Sequence, residues 1–245
     1  MANPFLTTIQ AEMTQAPDTR RPQLEALEGI LGKTVVAYHT STVYPVVKSD
    51  EDAVALERLL QGADLSNGIA LVISSRGGSP LVSERIAEIL RRSSGTGTFD
   101  VIVPSKAESA AIMVCLGAEL IYMTPAAELG PVDPQLRIIA DGKEQVFSVF
   151  SLLISHEELF ADAAIRNLLQ PFLTPEIPKT HGRAIYREST KQAGFRVECL
   201  ESSDANFNPL MELHTRPSNF VATRASKSME TRSHQFAKYA PRQAA

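Results

Sequence analysis

Cysteine is nearly absent from this sequence. Cys115 and Cys199 are the only two in 245 residues, and both lie in apolar runs. A disulfide framework is therefore excluded, and a reducing compartment is the simplest reading. Long apolar runs are missing too: the best, Ala110 to Ala118, ends at Glu119, far short of the roughly 20 residues that cross a bilayer. The opening MANPFLTTIQAEM has no basic stretch followed by an apolar one, so no secretory signal is read and a cytoplasmic protein is expected. No Cys/His/Asp/Glu cluster has zinc spacing and no GxxxxGK loop occurs, so neither metal nor nucleotide cofactor is expected. A net charge of −4 gives no global reason to bind nucleic acid or an anionic membrane.

What is present is an ordinary globular composition, 44% hydrophobic and 21% charged, with chain enough for a sizeable core. Charge is uneven. Residues 215–245 carry six Lys/Arg against Glu230 alone, a net +5 that leaves −9 on residues 1–214. Such a basic end is read as solvated, and its last dozen residues as fraying.

Periodicity predicts a helix over Gln23–Leu31, with Leu24, Leu27, Ile30 and Leu31 on one face, a strand over Thr34–His39 and a helix over Asp50–Leu60. Gly68–Ser74 is a nearly continuous apolar run, the mark of a strand buried on both faces. A helix over Pro80–Arg92 follows, with Leu81, Ile86, Ile89 and Leu90 inward, then a strand over Asp100–Pro104, a helix over Ala107–Leu116 and a strand over Glu119–Met123. Strands separated by helices of this length predict an α/β fold with a parallel sheet. Beyond it lie a rigid Pro-rich loop (Pro125–Pro134), mostly helix from Glu144 to Leu169, a last strand at Phe195–Leu200, and helix over Pro209–His214 and Asn219–Glu230.

Two features of this pattern point to chemistry. Gly77-Gly78 follows a buried strand, at the end where parallel sheets place their ligands, and glycine lets backbone N–H groups approach a substrate. Ser109 stands at a helix start among small neighbours, Ala107, Ala110 and Ala111. There the helix dipole and free N–H groups suit an oxyanion, with a hole formed by the Gly78 and Ala110 amides. Each feature has an ordinary reading, a mere turn for the glycines and an N-cap for the serine.

Order and spacing join them. The segments ALVISSRGGSPLVSERIAEILR, VIVPSKAESAAIMVCLGAELIYM and AELGPVDPQ, with a weaker echo in THGRAIYRESTKQAGFRV, resemble the serine dehydrogenase proteinase family. That family is related to the Clp protease proteolytic subunit and signal peptide peptidase A. The resemblance implies a Clp/crotonase-like domain over 33–214, preceded by an arm and helix (1–32) and followed by a helical, basic region (215–245). It implies a serine peptidase that cuts peptides or unfolded segments, usually as a homo-oligomeric ring; whether an ATPase partner feeds it is left open.

By position the resemblance implies Ser109 as nucleophile, with Asp133 and His181 completing a Ser, Asp, His triad in chain order. His181 would take the serine proton and Asp133 would fix its tautomer. Asp133 between two prolines reads equally as a turn cap, and His181 as a surface-loop histidine. Lys106, Lys143 and Lys179 stand as alternative bases, because signal peptide peptidase relatives use a Ser-Lys dyad. His39, His156 and His214 are read as structural. The sequence departs from the family in Ser-Ala-Ala-Ile, bulky at Ile112, and in Arg76 where a proline is common. Two other readings follow: an inactive scaffold of the same fold, and a crotonase-like acyl-thioester enzyme.

Overall fold

The computed structural model describes residues 17–43, 49–130, 184–239 and, as strands, 135–140 and 143–148. Helix α1 (Arg21–Leu31) leads into β1 (Thr34–Thr40), α2 (Asp50–Leu60), β2 (Ile69–Ser74), α3 (Pro80–Ser93) and β3 (Phe99–Val103). Short β4 (Lys106–Ala107), α4 (Ala110–Leu116), β5 (Leu120–Met123) and β6 (Glu128–Leu129) follow, then the hairpin β7 (Gln135–Ala140) and β8 (Lys143–Ser148). The chain continues with β9 (Ile185–Tyr186), α5 (Arg187–Gln192), β10 (Val197–Cys199), α6 (Phe207–Thr223), β11 (Ala225–Glu230) and β12 (Gln235–Tyr239).

Seven strands form one sheet in the order β10-β5-β3-β2-β1-β11-β12. From β10 to β1 every pairing is parallel; β11 joins β1 antiparallel and β12 closes that edge. The fold is thus α/β with a mainly parallel sheet, as the alternation of elements predicts. Its strands are apolar on both faces because both faces are covered. Val36, Tyr38, Ile69, Leu71 and Ile73 pack with α2, α3 and α4, whereas Val35, Ala37, Ala70 and Val72 pack with Leu24 and Leu27 of α1 and Leu210 and Leu213 of α6.

Several expectations are corrected. Ile30 is half-exposed, so the inner stripe of α1 is Leu24 and Leu27. Leu81 is 77% exposed while Val82, Ile86 and Leu90 are buried. Ser79, whose side chain accepts from the Val82 N–H, caps α3. The helix expected from Ala107 begins only at Ala110, because Lys106 and Ala107 are held as a strand by Glu128 and Leu129. Residues 143–148, expected helical, pair with 135–140 as a hairpin, and the rest of that expected helix lies outside the described residues.

At the C-terminal end, helix and tail give way to sheet. A single helix spans Phe207–Thr223 with Pro217 inside it, and Ala225–Glu230 is a strand rather than its continuation. Its alternation (Lys227, Met229) and its pairing with β1 override helix propensity. Lys227 is not solvated: it is 2% exposed and its Nζ donates to both Asp52 carboxylate oxygens, at 2.9 and 2.8 Å, and to Ser49 Oγ at 3.1 Å. Residues 235–239, expected to fray, form β12.

Candidate active site

Ser109 is the only non-glycine with positive φ among the described residues. Its φ of +52° and ψ of −129° lie outside the regions L-residues favour, and its side chain makes no capping bond to α4. The N-cap reading therefore fails: a serine that caps sits in extended backbone and accepts an amide. At this sharp strand-to-helix bend the half-buried hydroxyl is released from local bonding. The Ala111 N–H donates to Glu108 O and the Ile112 N–H to Ser109 O, each at 3.0 Å, so the Ala110 N–H is the first-turn amide that no described residue accepts.

The glycine turn lies on this bend. Gly77 and Gly78 have φ of +107° and +144°, and a Cβ added to Gly77 would stand 2.8 Å from both Glu108 O and Ser109 Cβ and 3.0 Å from Ala110 N. Only glycine permits that approach. Residues 77–78 and 109–110, separate in sequence, are thereby brought into one place.

Beneath them runs a second, three-stranded sheet, β4-β6-β9. β4 and β6 are parallel, with Ala107 opposite Leu129; β6 and β9 are antiparallel, with Leu129 opposite Ile185. The chain leaves β4 toward Ser109, leaves β6 toward Gly130 and enters β9 from Ala184, all at one end of this sheet. Gly130 packs there, its position for a Cβ 3.1–3.3 Å from Glu108. Asp133 and His181, like His156 and Lys179, lie outside the described residues. Lys143 belongs to β8.

Lys106 is exposed and pairs with Glu128, with Glu108 Oε1 at 4.0 Å. Glu128 raises its pKa above the ordinary lysine range, and an ammonium held so has no lone pair to accept a proton. Arg76 is exposed beside Gly77 and makes no ion pair among the described residues. Ile112 is fully buried in the core that packs α4 on the sheet, so its bulk points away from the bend.

His39 and His214 sit on the opposite face of the sheet, Nε2 to Nδ1 at 3.2 Å, between β1 and α6. Burial lowers both pKa values, that of His214 to about 4. Their burial on the face away from α4 accords with the structural reading. Sequence reasoning missed Ser75 and Thr40, whose buried hydroxyls lie 3.2 Å apart behind the glycine turn; a Ser two residues before a Gly was the available signal. Among the described residues no group of three or more His, Cys, Asp or Glu could hold a metal, and no helix is long and apolar enough to cross a membrane.

The described residues thus form an α/β fold with a mainly parallel sheet, in which a strained serine at a strand-to-helix bend is met by a glycine turn. Residues 29–146 match the model of the ClpP-like SDH-type serine proteinase family, and over that segment the resemblance read from the sequence is borne out. Two uncharacterized proteins of Methanocaldococcus jannaschii are 37% and 36% identical over 86 residues. The match covers 35% of this chain and only 29% of the length of each of those relatives. Among solved structures, a mutant of the membrane-bound stomatin-specific protease 1510-N is 18% identical, with a TM-score of 0.47 over 76% of this chain and 84% of that one. A ClpP1 mutant from Listeria monocytogenes is 17% identical, with a TM-score of 0.42 over 73% of this chain and 98% of that one.

Proposed function

We propose that this chain is a serine peptidase that cuts peptides or unfolded protein segments through an acyl-enzyme on Ser109. The observation that carries this reading is the serine's positive φ at the bend, with Gly77 pressed on its Cβ. Such strain persists only where surrounding structure enforces it, and here it frees a hydroxyl beside unbonded amide. Ser109 Oγ attacks the scissile carbonyl carbon while His181 takes its proton. The oxyanion is held by the Gly78 and Ala110 amides, with Gly77 giving the close approach. Collapse expels the amine, which takes the proton from His181; water, deprotonated by His181, then releases the acid and restores Ser109.

The small sheet supports Asp133 and His181 as partners. Leu129 and Ile185 pair in the ladder; Asp133 follows the first by four residues of sequence and His181 precedes the second by four. Four residues of chain span at most about 14 Å, so both are within reach of the end where Ser109 emerges. A cytoplasmic site and a homo-oligomeric ring that walls off the active site belong to the same proposal.

A fluorophosphonate probe tests it. Ser109 is expected to be labelled in the intact chain, identified by peptide mass mapping, and labelling is expected to vanish in Ser109→Ala. Equal labelling of that variant overturns the assignment.

A further inference from the structure

Ser75 is bonded to both halves of the site. Through its backbone it clamps the strand that leads to the nucleophile. The Ser75 N–H donates to Lys106 O at 3.0 Å, Ser75 O accepts from the Glu108 N–H at 2.9 Å, and Ser75 bridges Ala107 in parallel. Through its side chain it holds the glycine turn, since Ser75 Oγ accepts the Gly77 N–H at 3.2 Å. The same oxygen accepts from the Thr40 hydroxyl at 3.2 Å. Ser75 and Thr40 are 4% and 5% exposed, so water does not compete for these bonds.

With its own N–H engaged, Gly77 cannot serve the oxyanion, and the 76–77 peptide plane, from which the Gly77 torsions set the Gly78 N–H, is anchored beside the strand that leads to Ser109. Glycine has little torsional preference of its own, and two consecutive glycines with φ of +107° and +144° would otherwise wander. We propose that Ser75 Oγ, buttressed by Thr40, is a positioning group that aims the Gly78 amide at the developing oxyanion. This inference rests on the reading of Ser109 as nucleophile. Neither hydroxyl touches substrate; both act through the glycine turn.

Electrostatic stabilisation by a hole amide counts only in the transition state. Loss of aim therefore lowers the rate of the bond-forming step while leaving encounter with the reagent intact. Full removal of one hole donor costs about a hundredfold to a thousandfold, and misalignment through a lost anchor is expected to cost about tenfold to a hundredfold.

The test is the kinetics of fluorophosphonate labelling of the full chain, with the maximal inactivation rate separated from the half-saturating probe concentration. Ser75→Ala is expected to lower the maximal rate about tenfold to a hundredfold with half-saturation unchanged. Ser75→Thr, which keeps the hydroxyl, is expected to recover most of it. Thr40→Val keeps the shape, removes only the buttress, and is expected to cost several-fold; should Ser75→Ala not fold, this variant carries the test. Added to Ser75→Ala, Thr40→Val is expected to cost nothing further, because its acceptor is already gone. Unchanged maximal rates in folded Ser75→Ala and Thr40→Val, or losses that appear in half-saturation instead, overturn the inference while leaving Ser109 its role. Failure of the unaltered chain to label at Ser109 overturns the reading beneath it, and the inference with it.

Discussion

Gly77 and Ser109 are packed so closely that a single methyl on the glycine would overlap the serine, 2.8 Å from its Cβ. The contact ties a turn after β2 to a helix start after β4, across 32 residues of chain. It is also the tightest statement of how the candidate site is assembled, since the atoms concerned are backbone and Cβ and cannot rotate away.

Gly77→Ala is therefore expected to impair both stability and labelling. The φ of +107° is unfavourable for alanine and the added carbon meets backbone, so a loss of about 2–4 kcal/mol is expected. Urea denaturation measures it, and labelling per folded molecule is expected to fall at least a hundredfold. A variant as stable and as readily labelled as the parent would refute the close approach.

Replacing the two candidate bases is expected to separate them. Lys106 is exposed, ion-paired and held protonated by Glu128, so Lys106→Met is expected to change the labelling rate by no more than a few-fold. His181→Ala is expected to lower it by orders of magnitude. The reverse outcome transfers the role of base to the lysine.

Acid is expected to destabilise the fold through His39 and His214. Burial lowers both pKa values, that of His214 from 6.5 to about 4. Between those pH values the unfolded chain binds protons that the folded chain refuses, so stability falls as pH drops from about 6.5 toward 4. For His214 alone the loss approaches about 3 kcal/mol. Thermal melts followed by circular dichroism should show a decline over that window that is shallower in His214→Gln. A pH-independent difference between the two proteins would contradict it.

Lys227 and Asp52 form a buried ion pair linking β11 to the start of α2. Lys227→Met leaves the Asp52 carboxylate buried and unpaired by a cation, at an expected cost of about 3–5 kcal/mol. The double variant Lys227→Met with Asp52→Asn removes both charges and is expected to regain much of that loss in urea denaturation. Equal stability of the single and double variants would show that the charge is not the source of the cost.

The alternation of buried strands and helices is legible in the chain, because strands covered on both faces must be apolar at every position, as in Val35–Tyr38 and Ile69–Ile73. The sequence also marked Gly77, Gly78 and Ser109, residue types whose chemistry shows without coordinates. The rest depends on contacts between segments distant in sequence. The helix expected over Asn219–Glu230 holds only as far as Thr223, with Ala225–Glu230 drawn into pairing with β1, and Leu81 faces outward while Val82 is buried. The alignment of β4, β6 and β9 is likewise invisible in the chain, since two-residue strands carry too little pattern to announce their partners. Strain at Ser109 and the bonds that Ser75 makes to both halves of the site arise from contacts distant in sequence, and no local preference encodes a contact of that kind.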